Sequence, residues 1–126
     1  MDLQMGGIEA TAVELDFALR VAFPSHARLT IEGPVLFERD GTTEIIVLGE
    51  TDRTGESIFD SLVGRVVSSA VTSSTGTLTV TFSDGARLVA RPHEMYESWQ
   101  AVAPDGVWFI CMPGGEIATF GLSRRD

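Results

Sequence analysis

Two stretches of this chain, fifty-nine residues apart, read almost alike. Leu19-Arg20-Val21-Ala22-Phe23-Pro24-Ser25-His26-Ala27-Arg28-Leu29 aligns without a gap on Leu78-Thr79-Val80-Thr81-Phe82-Ser83-Asp84-Gly85-Ala86-Arg87-Leu88, and six of the eleven positions are identical. Self-similarity at a fixed offset points to one supersecondary unit used twice. The unit is a β-hairpin. Val13, Leu15, Phe17, Leu19, Val21 and Phe23 occupy every second position, the period of a strand with one buried face. In the second copy Leu78, Val80 and Phe82 alternate with Thr77, Thr79 and Thr81, β-branched residues that suit a solvated sheet face.

Loop chemistry fixes the register. With Ser83-Asp84-Gly85 as a three-residue loop, Phe82 faces Ala86, Val80 faces Leu88 and Leu78 faces Ala90, so apolar meets apolar. A two-residue loop at Asp84-Gly85 would pair Phe82 with Arg87 and mix the faces. The three-residue loop wants a left-handed residue in its third position, where Gly85 stands and where His26 falls in the first copy. A positive φ at His26 is therefore expected. Arg39-Asp40-Gly41 and Pro104-Asp105-Gly106 repeat this loop chemistry, one per half, and Pro113-Gly114-Gly115 adds a last turn before residues 117–120.

The expected architecture is all-β: a single domain over 1–126, with repeated meanders at 7–50 and 64–120. About ten strands close as a sandwich or barrel. One short connecting helix is expected over 52–63, where Ile58, Phe59, Leu62 and Val63 share a face and Gly64 resembles a stop.

A chain of 126 residues can bury a self-supporting core. Its longest apolar run, Val107 to Met112, is far too short to span a membrane. The first seven residues show neither a basic nor an apolar leader region, so no signal peptide is expected. The single cysteine, Cys111, cannot form an internal disulfide, which agrees with a cytoplasmic, reducing compartment. All nine basic residues are arginine, as codon bias in a GC-rich genome would give.

The net charge of −9 is uneven: residues 30–60 carry eight acids against Arg39 and Arg53. Glu38, Asp40, Glu44, Glu50, Asp52 and Glu56 form the expected acidic patch. Such a surface repels nucleic acid and anionic membranes and would suit a basic protein partner; a plain solubilising surface is the simpler reading.

Six segments together carry a resemblance. They are Leu15-Asp16-Phe17-Ala18-Leu19, Ile31-Glu32-Gly33-Pro34, Leu62-Val63-Gly64, Phe82-Ser83-Asp84-Gly85, Tyr96-Glu97-Ser98-Trp99 and Cys111-Met112-Pro113-Gly114-Gly115-Glu116. Spanning nearly the whole chain, they resemble a family of small uncharacterised actinobacterial proteins, a domain of unknown function. Its most specific parts are the Tyr-Glu-x-Trp and Pro-Gly-Gly-Glu segments. In that pattern alanine is usual where Ser98 stands, and tryptophan where Phe120 stands. The resemblance implies a fold and an origin but no activity.

The second half holds residues that the first lacks. Extending the Pro104-Asp105-Gly106 loop puts Trp99, Val107, Phe109 and Cys111 on one face, with Glu97 at its end. Trp108, Ile110 and Met112 point the other way. The strand 107–112 is thus apolar on both faces and needs cover on the second. The 52–63 helix, a partner or second copy of the chain, or a small apolar ligand could each supply it.

Cys111, His93 and Glu97 could be written as nucleophile, base and orienter, but a thiol among aromatics stays protonated and inert. No catalytic residue is assigned. Glu97 is read as half of a structural ion pair, with Arg91 as its partner. Two histidines far apart give no metal site, and no cofactor is implied. Pro113-Gly114-Gly115 lacks the residues of a phosphate cradle.

The function expected from sequence is a non-enzymatic protein-binding module of the inhibitor or immunity type. Its candidate residues are Tyr96, Glu97, Trp99, Trp108, Ile110 and Met112 together with the acidic patch. The partner is a basic protein or a second copy docked through strand 107–112. The alternatives are a β-barrel binding a small apolar ligand and, third, an enzyme of unknown class.

Overall fold

The computed structural model describes residues 1–46 and 61–121. Among them are eleven strands in two antiparallel sheets, and the only helical element is a single 3-10 turn, Pro24–His26. The first five strands are β1 (Ala12–Leu15), β2 (Leu19–Ala22), β3 (Arg28–Ile31), β4 (Val35–Arg39) and β5 (Thr42–Ile46). The remaining six are β6 (Val67–Thr72), β7 (Leu78–Phe82), β8 (Arg87–Ala90), β9 (Trp99–Val102), β10 (Trp108–Cys111) and β11 (Ile117–Phe120).

The first sheet runs β1-β2-β3-β9-β10-β11 and the second β5-β4-β8-β7-β6. The sheets are not closed on one another, so the architecture is sandwich-like and the barrel alternative falls. The two sheets share a common core that includes Leu19, Val21, Leu29 and Ile31 from one sheet and Phe37, Leu78, Val80 and Leu88 from the other.

The similar stretches become the β2–β3 and β7–β8 hairpins, which lie in opposite sheets. Each hairpin then borrows its next neighbour from the other half of the chain. β3 pairs with β9, setting Leu29 opposite Ala101; β8 pairs with β4, setting Leu88 opposite Phe37. Consecutive elements thus cross between the sheets, and each sheet is assembled from both halves.

The register expected at Ser83-Asp84-Gly85 is observed: Val80 pairs with Leu88, Leu78 with Ala90, and the Phe82 amide donates to the Ala86 carbonyl. His26 has φ 64°, as its place in the first copy requires, and Ser25 is left-handed as well at 62°. The loop at 104–106 also follows the expected pattern, with the Ala103 amide donating to Val107 and Ala101 opposite Phe109.

Two loops depart from expectation. Arg39 pairs directly with Thr42, leaving a two-residue turn in which Asp40 (φ 53°) and Gly41 (φ 77°) are both left-handed. Two positive φ values match the right-handed twist of the flanking strands. The alternation from Val13 to Phe23 is not one strand either: Asp16-Phe17-Ala18 turns it back on itself, with Leu15 opposite Leu19 and Val13 opposite Val21. Phe17 sits at the tip, 81% exposed.

Most of the helix expected over 52–63 lies outside the described residues. Residues 61–64 form a turn, with Leu62 buried in the core and Gly64 at φ 89°. The N-terminal ten residues run along β6: Leu3 donates to Ala70, Gly7 to Val67 and Ala10 to Arg65. They shield that sheet edge and bury Leu3, Met5 and Ala10.

Candidate functional site

The end of the sandwich where β8 hands over to β9 draws on three of the segments that carried the resemblance, 31–34, 96–99 and 111–116. Trp99 enters the core with no exposed surface, and its indole Nε1 donates to the Gly76 carbonyl at 3.0 Å. The Cys111 thiol approaches the same oxygen at 3.6 Å. Gly76 and Gly115 meet backbone to backbone: a Cβ on Gly76 would lie 2.3 Å from the Gly115 oxygen, and one on Gly115 would lie 2.2 Å from the Thr75 oxygen. Only glycine allows the β6–β7 turn to touch the Pro113-Gly114-Gly115 turn in this way. The Gly114 amide then donates to the His93 carbonyl at 2.9 Å, which ties the 91–98 loop to the same corner.

That loop carries a ring stack. His93 lies on Tyr96 with centroids 4.0 Å apart and planes 20° from parallel. The Met95 amide donates to His93 Nδ1 at 3.0 Å, so the ring proton sits on Nε2. Beside the stack is a cleft of ≈ 280 Å³. Its apolar walls are Pro34, Leu36, Ile45 and Pro92, and Gly33, Arg91 and Ser98 complete it. The Glu32 amide donates to the Ser98 carbonyl at 2.8 Å, holding the Gly33-Pro34 turn against the loop.

Ser98 is 1% exposed, and its hydroxyl has no hydrogen-bond partner among the described residues. It lies near enough to Cys111 to pull the thiol pKa downward, but not in hydrogen-bonding geometry. Burial outweighs that pull and raises the thiol.

The sequence-derived site residues separate. Tyr96 lines the cleft, while Trp99 belongs to the core and cannot reach a partner, which corrects its place among the binding residues. Glu97 is half-buried and accepts from Gln100 Nε2 at 3.5 Å; no ion pair joins it to Arg91 among the described residues. Cys111 faces the core while His93 is stacked on Tyr96, so they form no nucleophile–base pair.

On the outer face of the first sheet Trp108 is 38% exposed and Phe120, directly opposite on β11, is 53% exposed. Their rings are 5.9 Å apart and tilted. Trp108 Nε1 donates to Gln100 Oε1 at 3.2 Å. Ile110 is buried and Met112 half-buried on the same side.

Of the acidic patch, Glu50, Asp52 and Glu56 lie outside the described residues. Glu38 is paired with Arg87 on the neighbouring strand, Asp40 is in the exposed turn, and Glu44 is half-buried on β5. Arg39 and Arg87 therefore stand among these acids. Two carboxylates elsewhere are held below their ordinary range. The Ala18 amide does this to Asp16, with Arg20 adding to it, and the Ala86 amide does it to Asp84, with Arg65 adding to it.

Of the cleft residues, Leu36, Ile45 and Pro92 were not singled out in the sequence, while Gly33, Pro34 and Ser98 entered only through the resemblance and Arg91 only as a partner for Glu97. Gly33-Pro34 was a visible turn signal, but nothing local showed that it would meet a loop sixty residues on. Among the described residues no group of three or more His, Cys, Asp or Glu could hold a metal ion, and no helix is long and apolar enough to cross a membrane.

Fold and geometry of the described residues define an all-β, two-sheet protein with an end cleft and an exposed aromatic pair at the β11 edge. The chain belongs to DUF6188, a family of unknown function whose model matches residues 1–121. No curated protein matches it.

Proposed function

We propose that the chain is a non-enzymatic recognition module that docks a protein partner on the β9–β11 end of its first sheet. The observation that carries this is the exposed pair Trp108 and Phe120, set side by side at the β11 edge, which no strand covers among the described residues. Aromatic residues are enriched at the centres of protein interfaces, and an uncovered edge strand offers a row of backbone donors and acceptors. A net charge of −9 favours a basic partner, as for an inhibitor or immunity-type protein in the cytoplasm. The same reading takes the chain as one domain derived by duplication, supported by the crossed pairing of β3 with β9 and β8 with β4.

The test is binding of purified basic proteins encoded beside this gene, measured by calorimetry against wild type and the double variant Trp108→Ser, Phe120→Ser. A partner whose affinity falls at least about tenfold in the double variant, with melting little changed, upholds the reading. Undiminished binding by the variant overturns it. So does a dimer in sedimentation that the substitutions dissolve, because the face would then serve a second copy. A small-ligand reading has its own observation, the cleft against Tyr96.

A further inference from the structure

From the cleft beside Tyr96 we infer a binding site for a small apolar carboxylate, held by its hydrocarbon body between Leu36, Pro92 and the Tyr96 ring with its carboxylate toward Arg91. A volume of ≈ 280 Å³ is nearly twice that of a cavity that holds one benzene ring, room for about ten non-hydrogen atoms. Such a body would be a ring with a short chain, or a branched chain.

The polar groups all point to an acceptor. Arg91 is exposed at the mouth and has no ion-pair partner among the described residues. His93 offers its Nε2–H, because Nδ1 is already accepting from the Met95 amide. Ser98 closes the inner wall through its Cβ, while its hydroxyl is sealed from solvent beside Cys111 and offers no donor to an occupant. Among the described residues no carboxylate lines the cleft, in a chain that carries twice as many acids as bases. The described lining thus offers an occupant one arginine and one imidazole N–H, the charge complement of an anion. The apolar walls exclude a bare inorganic one, which would lose its hydration without compensation.

Gly33 supplies a clean probe of this geometry. Its φ is not in the left-handed region, and an added Cβ would meet Tyr96 Oη at 3.6 Å and the Ser98 Cβ at 3.8 Å, ordinary contact distances. Gly33→Ala should fold normally and place a methyl group between two walls of the cleft.

The same chemistry is offered by a free acid and by the C-terminal residue of a peptide. The test titrates the full-length, isotopically labelled chain at neutral pH with 3-phenylpropionate, with 3-phenylpropionamide, and with the peptide Gly-Gly-Gly-Gly-Phe, following amide resonances. Shifts centred on Gly33, Leu36, Tyr96 and Ser98 are expected with at least one carboxylate, saturating by about 5 mM. The tighter of the two carboxylates identifies the source. Arg91→Gln should weaken the acid roughly tenfold and leave the weaker amide unchanged. Gly33→Ala should weaken both with an unaltered melting midpoint. No cleft-centred shift with either carboxylate, or equal affinity of Arg91→Gln and wild type for the acid, overturns the site. Neither outcome depends on Trp108 or Phe120, so this test is independent of protein docking at β11.

Discussion

Two adjacent glycines in one turn do different work. Gly114 and Gly115 are both left-handed, at φ 89° and 101°, but a Cβ on Gly114 meets nothing within 4 Å, whereas one on Gly115 would collide with the Thr75 backbone. Gly114→Ala should therefore cost about 1 kcal/mol of backbone strain, and Gly115→Ala more than about 3 kcal/mol, as measured by denaturant midpoints. Trp99→Phe takes the indole donor from the buried Gly76 carbonyl and leaves a small void; a loss of about 2–4 kcal/mol is expected. The Cys111 thiol, buried and held protonated, should resist aqueous disulfide reagents in the native chain and react only as fast as the protein opens.

Asp16 and Asp84 make stability depend on pH. Both have folded values below the ordinary 3.8, so their contribution is present above that pH and is lost as the pH falls below it through the depressed folded values. Asp84→Asn keeps an acceptor for the Ala86 amide but removes the charge, and should flatten the acid limb of a melting-temperature profile.

Among the elements, the recurring device is a three-residue loop whose third residue is left-handed. It closes the hairpins at Gly85, Gly106 and Gly115, and also at Gly76, where Ser73 donates to Thr77. His26 fills the same place with a side chain, and Ser25 before it is left-handed too. His26→Gly should thus raise stability by about 1 kcal/mol in equilibrium unfolding. A three-residue loop sets residue i opposite i+4, so odd positions face odd positions and the alternation continues through the turn without a change of phase. That is why Val13 to Phe23 looks like one strand: Asp16-Phe17-Ala18 reverses the chain while keeping the period. Asp40-Gly41 does the opposite, and its shorter loop brings Phe37 opposite Glu44. Periodicity fixed which faces were apolar but could not show where the chain doubled back.

For the molecule as a whole, hairpin registers were legible because local turn chemistry dictates them. The assignment of hairpins to sheets was not, since β3–β9 and β4–β8 join segments dozens of residues apart and no local signal encodes them. The cleft was hidden for the same reason: its walls come from β4, β5 and the 91–98 loop. The aromatic content of strand 107–112 was visible, and the buried face of Trp99 and Phe109 followed from the register. What could not be read was that Phe120 would lie opposite Trp108 on an edge strand with no neighbour beyond it among the described residues. Without its partner that edge should make the chain prone to weak, open-ended self-association at high concentration, unlike the discrete dimer that would overturn partner docking. Thr119→Lys, placing a charge on β11, should reduce it in light scattering without lowering the melting point.

The crossed assembly of the sheets makes the chain divisible in one sense only. Severed between β5 and β6, it yields two pieces, and each would carry an incomplete version of both sheets with its apolar face bare. Neither piece should fold alone, and mixing them should restore the native circular dichroism. The molecule is in effect a pair of obligate complements in one chain, a natural template for a split reporter.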